Sequence, residues 1–172
     1  NYAVLIRIVP HSTVDRVRTK APRRGRLPAA QREARRREVL DAAMAELVEQ
    51  GSAAVTMAGV ARRADASKET LYAWFGNREQ LIGELIEANA DDSAQHVQAA
   101  LEHPPVDLAE AREALTGYAV GLLTLLTGPP SVELNRAAMG APALAQRLLA
   151  SGRHRVGPLV VAYLRRLGAA GL

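Results

Sequence analysis

From Ala30 onward, apolar side chains return every three or four positions, and only Gly, Pro and helix-capping residues interrupt them. That period matches the α-helical turn of about 3.6 residues and nowhere settles into strand-like alternation. The first run spans Ala30 to Gln50, with Val39, Leu40, Ala43, Leu47 and Val48 at helical spacing, and Gly51 closes it. Thr56 is placed to cap a second, short helix whose Met57, Val60, Ala61 and Ala64 form one stripe. Asp65-Ala66 makes a turn, Ser67 caps a third helix reaching Trp74 or Phe75, and Asn77 with Gln80 opens a fourth that continues to about Leu101. Asp107 with Glu110 starts a helix carrying Leu108, Ala111, Leu115, Tyr118, Leu122 and Leu126 on one face, and Gly128-Pro129-Pro130 stops it. Ser131 to Met139 reads as a short helix. Pro142 suits the first position of another, which Gly152 breaks or bends and Gly157-Pro158 kinks or restarts before Leu159–Leu167. Ala, Leu, Arg and Glu dominate while aromatics are 3%. The expected fold class is all-α.

With 172 residues and 48% apolar content, the chain is long enough for a small headpiece that shares a core with a larger body. It has no cysteine, which removes disulfides, cysteine-ligated zinc and thiol catalysis and fits a reducing cytoplasm, the expected location. No apolar run is long enough to span a membrane, and Tyr2–Val9, which contains Arg7, makes a poor signal peptide. The chain begins without Met, so residues 1 to about 20 read as an extension outside the fold.

Charge is unevenly placed. The net charge is +4, yet residues 1–80 hold 15 basic against 9 acidic side chains and residues 81–172 hold 7 against 9. A basic first half suggests that this half alone meets a polyanion; the alternative is a set of solvated Arg-rich faces. Arg18 to Arg37 concentrates nine basic residues around Pro22, Gly25 and Pro28. Such an arm is expected to be mobile before about Ala29 and suited to tracking phosphates or entering a minor groove.

Two short helices joined by a tight turn form the helix-turn-helix pattern, in which one helix braces across the backbone and the next lies in a major groove about 12 Å wide. On the third helix Leu71 and Phe75 can face inward, leaving Glu69, Thr70, Tyr72 and Ala73 outward, with Lys68 at the helix start. The run from Arg37 to Leu81, "REVLDAAMAELVEQGSAAVTMAGVARRADASKETLYAWFGNREQL", resembles the TetR-family headpiece along its whole length. It carries a helix ending in Gly, a Thr-capped helix, a turn, then Ser-basic-x-Thr-Leu-Tyr-x-aromatic-Phe and Asn-basic-Glu-x-Leu.

The resemblance implies phosphate and base contacts from Thr56, Ser67, Lys68 and Thr70, a backbone phosphate contact from Tyr72, and a DNA-flanking place for Trp74. It puts Arg78 where the family usually has a phosphate-binding Lys, and it assigns Leu71, Phe75 and Ala61 to structure. Taken singly, Tyr72 and Trp74 would be packing residues and Lys68 and Arg78 ordinary surface charges. Asp65 departs from the usual Gly of the turn and Ala66 from a common Val. Glu69 opposes phosphate, so it either reads cytosine N4 or repels wrong positions.

For the second half, the resemblance implies a small-molecule pocket among the later helices, a homodimer built from the last helices, and ligand-driven release from a palindromic operator in double-stranded DNA. Candidate pocket residues are Tyr118, Leu122, Leu126, Met139, Leu148 and Tyr163, an aliphatic set suited to an apolar or amphipathic effector; plain core is the alternative for each. Asp92, His96 and His103 share a helix face but read as solvated, so no metal and no cofactor are expected. The family usually continues with further helices after the point reached by Gly168–Leu172, and the chain therefore reads as truncated.

The expected organisation is a basic arm over 1–29, a DNA-binding domain over 30–88 and an effector and dimerisation domain over 89–172. No HExxH, GxSxG, P-loop or GxGxxG pattern is present, so no catalytic residue is named. The rival reading is a helical ligand-binding or scaffold protein that has lost DNA binding.

Overall fold

The computed structural model describes residues 28–172; the basic arm up to residue 27 lies outside them. The described residues form α1 (Ala29–Gln50), α2 (Met57–Arg63), α3 (Lys68–Phe75), α4 (Arg78–Ala100), α5 (Leu108–Thr127), α6 (Pro129–Met139) and α7 (Pro142–Ala169), with no strand among them. Side-chain caps start four of these helices. Thr56, Ser67, Asn77 and Asp107 each accept a hydrogen bond from the backbone N–H three residues on, satisfying a donor that the helix itself leaves open. At α5 the exchange is reciprocal: Glu110 N–H donates to Asp107 Oδ1 at 2.9 Å, and the Glu110 carboxylate accepts from Val106 N–H at 3.0 Å.

Three sequence expectations need correction. α6 begins at Pro129, because both prolines fit the first helical turn, where no N–H is required. α7 runs unbroken through Gly152, Gly157 and Pro158. Pro158 removes one helical bond, but Pro and Gly weigh only locally, and α7 packs against α6 at its start and along α4 from Leu144 to Leu167. Finally, the face read along α5 is not buried as a whole: Ala111 is its one buried residue, and Leu108 and Leu126 are 67% and 53% exposed.

Two cores result. The larger joins Val39, Leu40 and Leu47 of α1, Val60 of α2, Leu71 and Phe75 of α3 and Leu81–Ile86 of α4 with Leu134 of α6 and Leu144 of α7. The first three helices therefore do not own their core; α6 and the start of α7 complete it. The smaller core gathers Val97 and Leu101 at the end of α4, Ala111 of α5, and Tyr163 and Leu167 of α7. α4 belongs to both and crosses the boundary expected after residue 88 without interruption.

Candidate functional site

α2 buries four of its seven residues, and Gly59 among them lets it approach α1 closely: a Cβ there would lie 2.5 Å from Glu46 Oε1. The helix ends in a paired backbone motif. Ala66 N–H donates to Ala61 O at 2.9 Å and Asp65 N–H to Arg62 O at 3.3 Å, a closure that needs a left-handed residue between. Asp65 supplies it with φ +47°, where the family pattern has Gly. Arg35 of α1 then donates to the carbonyls of Ala64 and Asp65 at 2.6 and 2.8 Å, satisfying oxygens that the turn leaves open. Arg35 stood in the sequence as one charge in a basic run, and nothing local marked it as the residue that braces this turn.

α3 follows directly. Ser67 Oγ accepts from Thr70 N–H at 3.1 Å and lies 3.0 Å from Thr70 Oγ1, so both hydroxyls are oriented at the helix start. Leu71 and Phe75 are buried on the inner side. The Arg36 guanidinium lies 5.1 Å from the Phe75 ring centroid and pairs with Glu84 at 2.8 Å. Trp74 meets Phe75 edge-on at 6.3 Å and is half-buried against the larger core. Facing outward are Lys68, Glu69, Tyr72 and Ala73. The Glu69 carboxyl is held below the usual carboxylate range by its own backbone N–H, the Ser67 hydroxyl and Lys68, so it is an anion at neutral pH.

Of the seven predicted DNA residues, Thr56, Ser67, Lys68, Thr70, Tyr72 and Trp74 lie at the start of α2 or along α3. Arg78 is placed differently. Its guanidinium turns back onto the α1–α2 loop, donating from Nε to Val55 O at 2.9 Å and from Nη2 to Ser52 O. The loop carbonyls have no helical partner, and a planar fork of donors answers two at once.

A family described as bacterial regulatory proteins, tetR family, matches residues 39–85. Among solved structures, a TetR transcriptional regulator from Agrobacterium tumefaciens is 30% identical over 80% of this chain and 68% of its own, with TM-score 0.56. The chain belongs to the TetR family of transcriptional regulators. The flavonoid-responsive regulator FrrA is 28% identical, over 80% of this chain and 70% of its own, with TM-score 0.53. A TetR-family regulator from Mesorhizobium loti shares the fold at TM-score 0.71 and 22% identity, covering 81% of this chain and 71% of its own. No curated protein sequence matches significantly. As a TetR-family regulator the chain is a DNA-binding protein, and no described helix is long and apolar enough to cross a membrane.

A mainly apolar cleft of about 380 Å³ lies between α4, α5 and α7, lined by His96, Val97, Tyr118, Gly121, Leu122 and Val156 among others. His96 Nδ1 lies 2.6 Å from Asp92 O; a carbonyl only accepts, so in the neutral ring Nδ1 carries the proton and Nε2 is the acceptor. Two of the six predicted pocket residues, Tyr118 and Leu122, line this cleft. Leu126 and Met139 are 53% and 81% exposed and lie outside it. Leu148 packs on the larger core, and Tyr163 is fully buried in the smaller one, beside a separate cleft near Pro104 and Pro105. The missed signal was Gly117 and Gly121, one turn apart on α5. Neither would bring a Cβ within 4 Å of another group, so these glycines hold open the space that larger side chains would fill.

Proposed function

We propose that this regulator is a repressor that binds a palindromic operator as a homodimer and leaves it when a small molecule enters the α4–α5–α7 cleft. α3 carries this reading: two apolar anchors fix one side while Lys68, Glu69, Tyr72 and Ala73 face outward together. Lys68 and Tyr72 meet phosphates, Ser67 and Thr70 meet phosphates or base edges at the helix start, and Thr56 does the same from α2. Trp74 flanks the DNA from its half-buried position. Arg78 acts at one remove, holding the loop that ends in Thr56. Two copies place their α3 helices in successive major grooves about 34–36 Å apart. Exposed apolar side chains on α5 and α7, among them Leu123, Val161 and Leu164, supply surface for the second copy. The aliphatic lining with few polar groups suits a flat, largely apolar effector, in keeping with the flavonoid response in the name of one relative. Such a regulator works in the cytoplasm.

The test is fluorescence-anisotropy titration of a duplex containing the DNA upstream of its own gene, across a salt series. Wild type is expected to saturate with affinity that falls steeply with salt, and Lys68→Ala with Tyr72→Ala to weaken binding by about tenfold or more. Undiminished binding by the double variant would move the interface to the basic run Arg18–Arg37. A chain that binds no duplex but still takes up apolar ligands would be a ligand-binding protein that has lost DNA binding.

A further inference from the structure

Glu133 on α6 is the one charged side chain that is buried among the described residues. A buried carboxylate is costly unless its oxygens are satisfied, and here both are. Oε2 accepts from Ser52 N–H at 2.9 Å, across to the α1–α2 loop, and Oε1 accepts from the Arg136 guanidinium on its own helix. The same loop receives Arg78 on the carbonyls of Ser52 and Val55 and ends at Thr56, the cap of α2. Where the loop sits therefore sets where α2 and α3 sit. At its other end, α6 is joined to the cleft wall. Thr124 and Leu125 of α5 line the cleft, Gly128 N–H donates to Leu125 O at 3.2 Å, and Val132 N–H donates to Gly128 O at 3.1 Å. Pro129 and Pro130 fix the first turn of α6, so a displacement of the end of α5 passes into α6 as a unit.

We infer that Glu133 is a positioning residue that carries the state of the cleft to the α1–α2 loop, a second route beside the shared helix α4. The inference rests on the cleft being the effector site. Ligand in the cleft moves the end of α5, α6 follows, and the carboxylate draws or releases Ser52.

A side chain can stand in for the unidentified effector. At Gly121, which lines the cleft, a Cβ meets nothing within 4 Å, so Gly121→Phe puts a bulky side chain at the cleft wall without a clash at its Cβ. The readout is affinity for a duplex that the wild-type protein selects from a randomised pool. Gly121→Phe is expected to weaken binding about tenfold or more when Glu133 is present, and less than about threefold in Glu133→Ala, which alone changes affinity less than about threefold. If Glu133→Ala does not fold, Glu133→Leu keeps the buried volume and removes the same acceptor, with the same expectation. An equal loss in both backgrounds overturns the role of Glu133 and leaves the effector cleft standing, coupled through α4. No loss in either background overturns both the role and the cleft, while DNA binding by the wild type stands. A purely structural Glu133 would lower thermal stability without changing the ratio between filled and unfilled clefts.

Discussion

At the scale of single residues, two of the three side chains that depart from the TetR pattern, Asp65 and Arg78, have a measurable consequence. Asp65 holds the left-handed position of the α2–α3 turn at φ +47°. A left-handed L-residue costs about 1–2 kcal/mol, less for Asp, and Gly gives part of that back as backbone entropy. Asp65→Gly should therefore raise stability by about 0.5 kcal/mol, and Asp65→Val lower it by about 1–2 kcal/mol, both read from urea melts. Arg78 replaces a Lys that would reach phosphate, and its two loop carbonyls explain the preference for Arg. Arg78→Ala should cost about 1–3 kcal/mol by leaving part-buried carbonyls open, and Arg78→Lys should recover little of it, because an ammonium lacks the planar fork. A phosphate contact alone would show the opposite pattern, with stability unchanged and Lys restoring DNA affinity.

At the scale of elements, α7 tests how far local breakers govern a helix. The sequence places Gly152, Gly157 and Pro158 within one run, and a restart at Pro158 is the local reading. In the structure the helix is continuous, so Pro158 is an interior residue and the carbonyl of His154 lacks its usual donor. Pro158→Ala should then stabilise the protein by about 1–3 kcal/mol in thermal melts. A helix that restarted at Pro158 would gain nothing from the change, since Pro suits a first position. α5 teaches the complementary lesson. Its capping pair was legible because a cap is a contact within four residues of sequence. Its buried side was not, because α4, α6 and α7 choose which stripe they cover, and they leave Val120, Leu123 and Leu126 in solvent.

At the scale of the whole molecule, α1–α3 share one core with the later helices. Leu134 of α6 is fully buried among residues of α1 to α4. Leu134→Ala should cost about 2–5 kcal/mol, and probes placed in α3 and in α7 should report a single coincident transition shifted by the same amount. Separate transitions would mean that α1–α3 can fold without α6. A shared core also means that α6 cannot move without repacking the residues beneath α3.

What the sequence determined by itself was everything carried by near neighbours along the chain. Helix periods, the caps Thr56, Ser67, Asn77 and Asp107, the turn at Asp65 and the outward Glu69, Tyr72 and Ala73 on α3 all depend on spacings of one to four residues, whereas Thr70, also expected outward, is half-buried. The tertiary structure alone decided the rest. It turned Arg78 inward, gave Arg35 two turn carbonyls and gave Glu133 the amide of Ser52. It also set the cleft at Gly117 and Gly121 rather than along Leu126 and Met139. The physical reason is that a cap or a period is satisfied by the same helix that displays it. A long side chain or a helix face is satisfied by whichever distant element the packing brings within reach.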